Sequence, residues 1–224
     1  MFDQIKTNNC NNDIVKDFNS IGHYRLGDMV LLYEPASFLP DGNYHFFISD
    51  ERYKGTIMNK FSEKIIKDMT QNKVKLCSNC VKEVIKEKNY EIPTDQELVI
   101  HLRLGDVFGN EDFYSKAPNL RQILRSINLW KEENITFVTA FSYGKGIFAK
   151  RENIERSKKN SIKFLELLVS KIPKNKKIKI KSSDDVDEDF VYLCMAKNLV
   201  VTGNSCFAKL SLQINNIFKS EKFM

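Results

Sequence analysis

In the second half of the chain, two patterns of apolar and polar residues alternate. Short apolar runs predict strands, and the segments between them carry apolar residues at helical spacing. The predicted strands are Glu97–Leu102, Ile135–Phe141, Lys177–Lys181 and Asn198–Thr202. The predicted helices are Asn119–Trp130, Ser161–Ile172, Asp187–Lys197 and a closing helix capped by Ser205. Such alternation is typical of βα units that build a parallel sheet.

The first half has a weaker pattern. Tyr44–Ile48 predicts a strand, whereas Ile57–Met69 and Cys80–Lys88 predict helices. Residues 89–95 interrupt the helical periodicity, and Pro93 lies there just before the strongest strand. We therefore expect two α/β lobes that face a cleft, an N-terminal lobe over residues 1–92 and a C-terminal lobe over residues 93–224.

Composition limits the functions that the chain can have. The 224 residues are 42% hydrophobic, which is enough for a sizeable core, and the net charge of +6 favours anionic partners. Tyrosine, phenylalanine and lysine are not interleaved on one stacking surface, so we expect no nucleic-acid partner. The start of the chain has no apolar signal region and no window resembles a membrane span, which predicts a cytoplasmic protein without an integral membrane segment. Five cysteines, an odd number, favour free thiols over a disulfide framework.

Polar residues cluster where the strongest predicted strand ends, in His101-Leu102-Arg103-Leu104-Gly105-Asp106. Ligands of open α/β sheets bind beyond the carboxyl ends of the strands. Strand alternation puts His101 and Arg103 on the same side, where the planar guanidinium can hold two phosphate oxygens at once. Gly105 allows the backbone to turn closely around a bound group. The alternative is a charged strand end in which Arg103 pairs with Asp106.

A second polar cluster lies near the end of the chain. Asp187-Glu188-Asp189 opens one predicted helix, and Asn204-Ser205-Cys206-Phe207 opens the last one. Free N–H groups at a helix start form an anion site, and Ser205 adds a hydroxyl. The alternative is ordinary helix capping by Asp187 and Ser205.

Together, these two clusters resemble the fucosyltransferase superfamily, which includes alpha-1,2-, alpha-1,6- and protein O-fucosyltransferases. In that family a strand ends in a His-x-Arg-x-Gly-Asp-like motif, matched here by His101, Arg103, Gly105 and Asp106. The later family pattern is matched by Asp189-Phe190, Leu193, Ala196, Leu199-Val200 and Asn204-Ser205-Cys206-Phe207-Ala208. Cys206 and Ala208 replace two serines of the family pattern. Arg25-Leu26-Gly27-Asp28-Met29 resembles the family's N-terminal Gly-Asn-Gln loop, with Asp28 in place of asparagine.

The resemblance implies a GT-B-like fold of two Rossmann-type lobes and an inverting glycosyltransferase. The donor would be a nucleotide sugar, most directly a GDP-linked fucose or other deoxy-sugar, and the acceptor a glycan hydroxyl. No metal or further cofactor is implied. Arg103, Asp106 and Asp28 are the implied catalytic residues. The implied donor-binding residues are Gly27, His101, Arg103, Gly105, Asp189, Asn204, Ser205, Cys206 and Phe207.

Two alternatives stay open. Asp185-Val186-Asp187 resembles the Asp-x-Asp metal site of GT-A glycosyltransferases, where carboxylates hold Mn²⁺ or Mg²⁺ against a diphosphate. The same acids suit a helix N-terminus, which we prefer. The protein could instead be a non-catalytic nucleotide-binding or glycan-binding module. Cys77-Ser78-Asn79-Cys80 has metal-like spacing but no second cysteine pair, so we interpret it as incidental.

Overall fold

The computed structural model describes residues 26, 30–31, 56–68, 70–109, 117–140, 151–183, 185–203 and 205–223. Its centre is a sheet of four parallel strands. They are β1 (Glu97–Arg103), β2 (Asn134–Ala140), β3 (Lys177–Lys181) and β4 (Asn198–Val201). The α/β class and all four of these predicted strands are confirmed. The strand predicted at Tyr44–Ile48 lies outside the described residues.

Six α-helices accompany the sheet within the described part of the chain. They are α1 (Thr56–Lys67), α2 (Lys73–Glu87), α3 (Leu120–Leu129), α4 (Arg151–Ser170), α5 (Val186–Met195) and α6 (Cys206–Ser220). Each contains a predicted helical segment. The prediction was wrong about where α2 and α4 begin, because both start well before the apolar periodicity that indicated them. Asn72 caps α2 by accepting a hydrogen bond from the Lys75 amide, at 3.0 Å.

The strand order β3-β2-β1-β4 makes the sheet doubly wound. Strands β1 to β3 progress in one direction, and the chain then crosses back to place β4 on the other side of β1. Helices α3 and α4 cover one face, and α5 covers the other. Crossovers that run in opposite directions on opposite faces have the same hand, as parallel βαβ units require. The first face is built from Leu98, Ile100, Leu102, Ile123, Ile127, Ile135, Phe137, Leu165 and Leu168. The second is built from Val99, Val138, Tyr192, Leu193 and Ala196.

Helices α1 and α2 form a further layer against α5 and α6. One core joins the four helices, and its largest members include Ile57, Phe61, Val81, Phe190, Leu210, Ile214 and Phe218. The described residues before Glu97 contain no strand, so the part of the chain that the structure describes has a single sheet. The second Rossmann-type lobe and the boundary at residues 92 and 93 stay predictions.

Cys77, Cys80 and Cys194 are free thiols, as expected, and all three are buried. Cys77 and Cys80 both lie in the helical core, where burial raises the pKa of Cys80 to about 11. These two thiols are packing groups, which agrees with the interpretation of their spacing as incidental. Among the described residues, no helix combines the length and apolar character that a membrane crossing requires.

Candidate functional site

The first polar cluster and the Ser205–Phe207 part of the second meet where the strand order reverses, between β1 and β4. β1 and β4 are neighbours, with His101 opposite Val201, and the Thr202 hydroxyl donates to the His101 carbonyl at 2.9 Å. Each strand is followed by a glycine in the left-handed region, Gly105 with φ 85° and Gly203 with φ 78°. Open α/β sheets bind ligands beyond the strand ends at such a point, and we refer to the region between Gly105, Gly203 and the start of α6 as the crevice.

His101 lies buried at this point with its ring against Phe207, the two centroids 6.1 Å apart. Burial and, to a smaller extent, the positive charge of Arg103 lower the pKa of His101 to about 4, against a hydrogen bond with the backbone of Thr202 that raises it. The imidazole is therefore neutral near pH 7. Among the described residues, its Nδ1 atom has no hydrogen-bond partner. Buried polar atoms nearly always have one, so this nitrogen is suited to a ligand.

Arg103 is the last residue of β1 and is half-buried. Strand alternation puts it on the same face as His101, and its positive charge lowers the pKa of the histidine. A fixed positive charge thus lies at the crevice. This is the position that the sequence predicted for Arg103.

The start of α6 forms the other side of the crevice. Ser205 is buried and caps the helix, its Oγ accepting from the Ala208 amide at 3.2 Å. Cys206 is half-buried in the first turn. Phe207 packs between His101 and Phe190, with its ring 5.0 Å from that of Phe190. The capping role of Ser205 is confirmed, and Phe207 reaches the histidine of the first cluster.

Asp189 lies at the carboxyl end of β3, two strands away from β1. Both of its carboxylate oxygens accept from the Ser183 amide, at 3.2 and 3.1 Å. Burial raises the pKa of Asp189 to about 6, against that hydrogen bond and the charge of Lys181. The structure therefore joins Asp189 to the loop after β3.

Asp185 and Asp187 have separate structural partners. Asp185 caps α5 by accepting from the Asp187 amide at 3.0 Å and also accepts from the Tyr90 hydroxyl at 2.6 Å. Asp187 is buried and accepts from the Ile57 amide at the start of α1, at 3.1 Å. No group of three or more potential metal-ligating acids, histidines or cysteines occurs among the described residues. The contacts of the Asp-x-Asp triplet are those of helix caps.

The loop after β1 is held by side chains of α4 that were not predicted as site residues. Ser157 and Ser161 of α4 bond to both backbone groups of Gly105, whereas Asn160 and Arg156 bond to carbonyls further along the same loop. The available signal was a pair of serines four residues apart on one helix face, within a segment too polar to show apolar periodicity.

Four of the predicted site residues cannot be placed in this arrangement by their side chains. Gly27, Asp28 and Asn204 lie outside the described residues, and Asp106 is seen only as the backbone that begins the short 3₁₀ turn Asp106–Phe108. Comparison with protein-family models, curated proteins and solved structures finds no match to the chain.

Proposed function

We propose that this protein is an inverting glycosyltransferase that transfers fucose or another deoxy-sugar from a GDP-linked donor to a glycan hydroxyl. The observation that carries the proposal is the adjacency of two strand ends at the switch point of the sheet. One strand end brings Arg103, and the other leads into the N-terminus of α6.

The features of this crevice suit a diphosphate. Arg103 supplies a permanent positive charge, and the first N–H groups of α6 supply the positive end of a helix dipole. Gly203 leaves room for phosphate oxygens to approach the backbone. The unsatisfied Nδ1 of His101 is a further polar atom for which a ligand would be the partner. Arg103, the start of α6 and Gly203 together favour an anion with several oxygens over a single carboxylate.

In the proposed reaction, the acceptor oxygen attacks the anomeric carbon from the side opposite the nucleotide. The bond between that carbon and the diphosphate oxygen breaks, and the nucleoside diphosphate leaves with the bonding electrons. Negative charge grows on the diphosphate, so Arg103 and the α6 N-terminus bind the transition state more strongly than the ground state. No step of this scheme requires a metal ion.

The acceptor proton must pass to a base. A general base works best when its pKa is near the working pH, and His101 with a pKa of about 4 is too weak for this role. Asp106 and Asp28 remain the candidates. The His101 ring donates to the Thr202 backbone, which leaves Nδ1 of the neutral imidazole as an acceptor, suited to a hydroxyl of the donor rather than to a phosphate oxygen.

The donor and acceptor follow from the resemblance to the fucosyltransferase superfamily. The residues that carry it in the crevice are His101, Arg103, Gly105 and Ser205. In a GT-B-like arrangement, the lobe of residues 93–224 binds the nucleotide, and the lobe of residues 1–92 faces the acceptor. Asp189 would approach the nucleoside only if the nucleobase of the donor extends toward β3.

A thermal-shift panel tests donor binding. GDP and GDP-fucose should raise the unfolding temperature more than UDP, dTDP or their sugar conjugates, because a ligand of the native state stabilises it as ln(1 + [L]/Kd). No shift with any of these compounds would overturn the proposal. Binding of GDP-fucose without transfer or slow hydrolysis would favour a non-catalytic nucleotide-binding module instead.

Arg103→Ala tests the central residue. We expect transfer efficiency to fall about 100-fold, the loss typical of removing one preorganised donor from a developing charge. GDP affinity should fall as well. Arg121→Ala is the matched control, since Arg121 is exposed on α3 and should be dispensable. Near-normal transfer and GDP affinity in Arg103→Ala would show that the assignment is wrong.

A further inference from the structure

Four side chains of α4 hold the segment that follows β1, residues 104–109, which we call the Gly105 loop. The Gly105 amide donates to Ser161 Oγ at 3.0 Å, and Ser157 Oγ donates to the Gly105 carbonyl at 2.7 Å. Asn160 Nδ2 donates to the Phe108 carbonyl at 3.0 Å, and Arg156 Nε donates to the Gly109 carbonyl at 2.9 Å. One helix therefore contacts the Gly105 loop at three of its residues.

The two serines are the innermost part of this attachment. Ser157 is 1% exposed and Ser161 is fully buried, so water does not replace their hydroxyls as partners of Gly105. Leaving a buried backbone group without a partner is unfavourable, which makes these bonds strong constraints on the loop. Gly105 itself has φ 85°. Because glycine can adopt many backbone conformations, the two hydrogen bonds help to hold it in this one.

We propose that Ser157 and Ser161 are positioning residues that fix the Gly105 loop for diphosphate binding. This inference rests on the proposed function. Gly105 follows Arg103 by two residues, so the bonds that fix its amide and carbonyl also fix the direction in which the chain leaves β1. The loop and Arg103 bind the phosphate. The two serines do not touch it and act only by holding the loop.

The test compares Ser161→Ala and Ser157→Ala with Ser78→Ala. Ser78 is an equally buried serine whose hydroxyl bonds within its own helix, to the Lys75 carbonyl. GDP affinity is measured by calorimetry well below the unfolding temperature, and amide hydrogen exchange is measured over residues 104–109. We expect each of the two α4 variants to raise the Kd for GDP about tenfold and to speed exchange in the loop. Ser78→Ala should change neither quantity.

Asn160→Ala provides a variant at a less buried position, in case the serine variants do not fold. It frees the Phe108 carbonyl and should weaken GDP binding in the same direction by a smaller factor. If the wild type binds GDP and all the folded α4 variants bind it equally well, the inference is wrong and the proposed function stands. If the wild type does not bind GDP, the proposed function fails and the inference about the phosphate fails with it.

Discussion

Buried polar residues at the carboxyl edge of the sheet fall into two kinds. Asp187 and Ser205 accept hydrogen bonds from backbone amides at helix N-termini, so their polar atoms are satisfied within the protein. His101 has a buried Nδ1 with no partner among the described residues. Because orphaned buried polar atoms are rare, the histidine indicates a ligand site, whereas the aspartate indicates a structural one.

Asp187→Ala tests the structural role. We expect it to lower the free energy of unfolding by about 1 to 3 kcal/mol, since the Ile57 amide would lose its acceptor in a buried setting. Asp187→Asn keeps an oxygen at this position and should lose less. Denaturant unfolding measures both. Wild-type stability in Asp187→Ala, or transfer that excess EDTA abolishes, would favour the metal-binding alternative.

At the scale of elements, prediction succeeded where apolar residues determine the structure. The strands from β1 to β4 were found to within one residue at each end. The buried strand β1 is marked by its own apolar residues, whereas β3 is mostly exposed and was found from its alternation of lysine and isoleucine. The start of α4 was missed. Its first ten residues are mostly charged, and their inner face includes Ser157, which bonds to the Gly105 loop. Polar contacts between distant segments leave no periodic signal in the sequence.

Helix capping provides a prediction that separates stability from binding. Ser205→Ala should lower the free energy of unfolding by about 1 kcal/mol, because it removes the acceptor of the Ala208 amide. Asn119→Ala is the control, since Asn119 caps α3 by accepting from the Gln122 amide at 3.1 Å. Both variants should be destabilised similarly in thermal unfolding.

Only Ser205→Ala should also weaken GDP binding, because only α6 begins at the crevice. Calorimetry with GDP measures this difference. Equal GDP affinity in the wild type and in both cap variants would show that Ser205 is a cap and nothing more.

At the scale of the molecule, the site depends on a long-range arrangement that periodicity does not encode. His101 and Thr202 are 101 positions apart, and they meet because the chain returns from β3 to pair β4 with β1. The sequence indicated each strand end separately. Because parallel strands end at one edge of a sheet, both strand ends were expected at that edge. The strand order β3-β2-β1-β4 is what makes them neighbours. Asp189 shows the limit of such reasoning, since it shares the edge but lies against Ser183.

The same fold buries two ionisable groups whose effects on stability oppose each other. The pKa of Asp189 is raised from 3.8 to about 6, so between these values the folded state holds a proton that the unfolded state has lost, and stability falls as pH rises. The pKa of His101 is lowered from 6.5 to about 4, so there the unfolded state holds the extra proton and stability rises with pH. Each shift corresponds to about 3 kcal/mol, and the two contributions largely cancel.

Replacing either group should therefore expose the pH dependence of stability that the other group contributes. We expect His101→Gln to lose stability as the pH rises from about 4 to about 6, and Asp189→Asn to gain stability over the same interval, each relative to the wild type. Thermal unfolding at a series of pH values measures these slopes. Because every other titrating group is shared among the three proteins, the differences between their slopes report Asp189 and His101 alone. If the two variants followed the wild-type profile, neither group would be titrating with the shifted pKa, and the low pKa that excludes His101 as the general base would be lost.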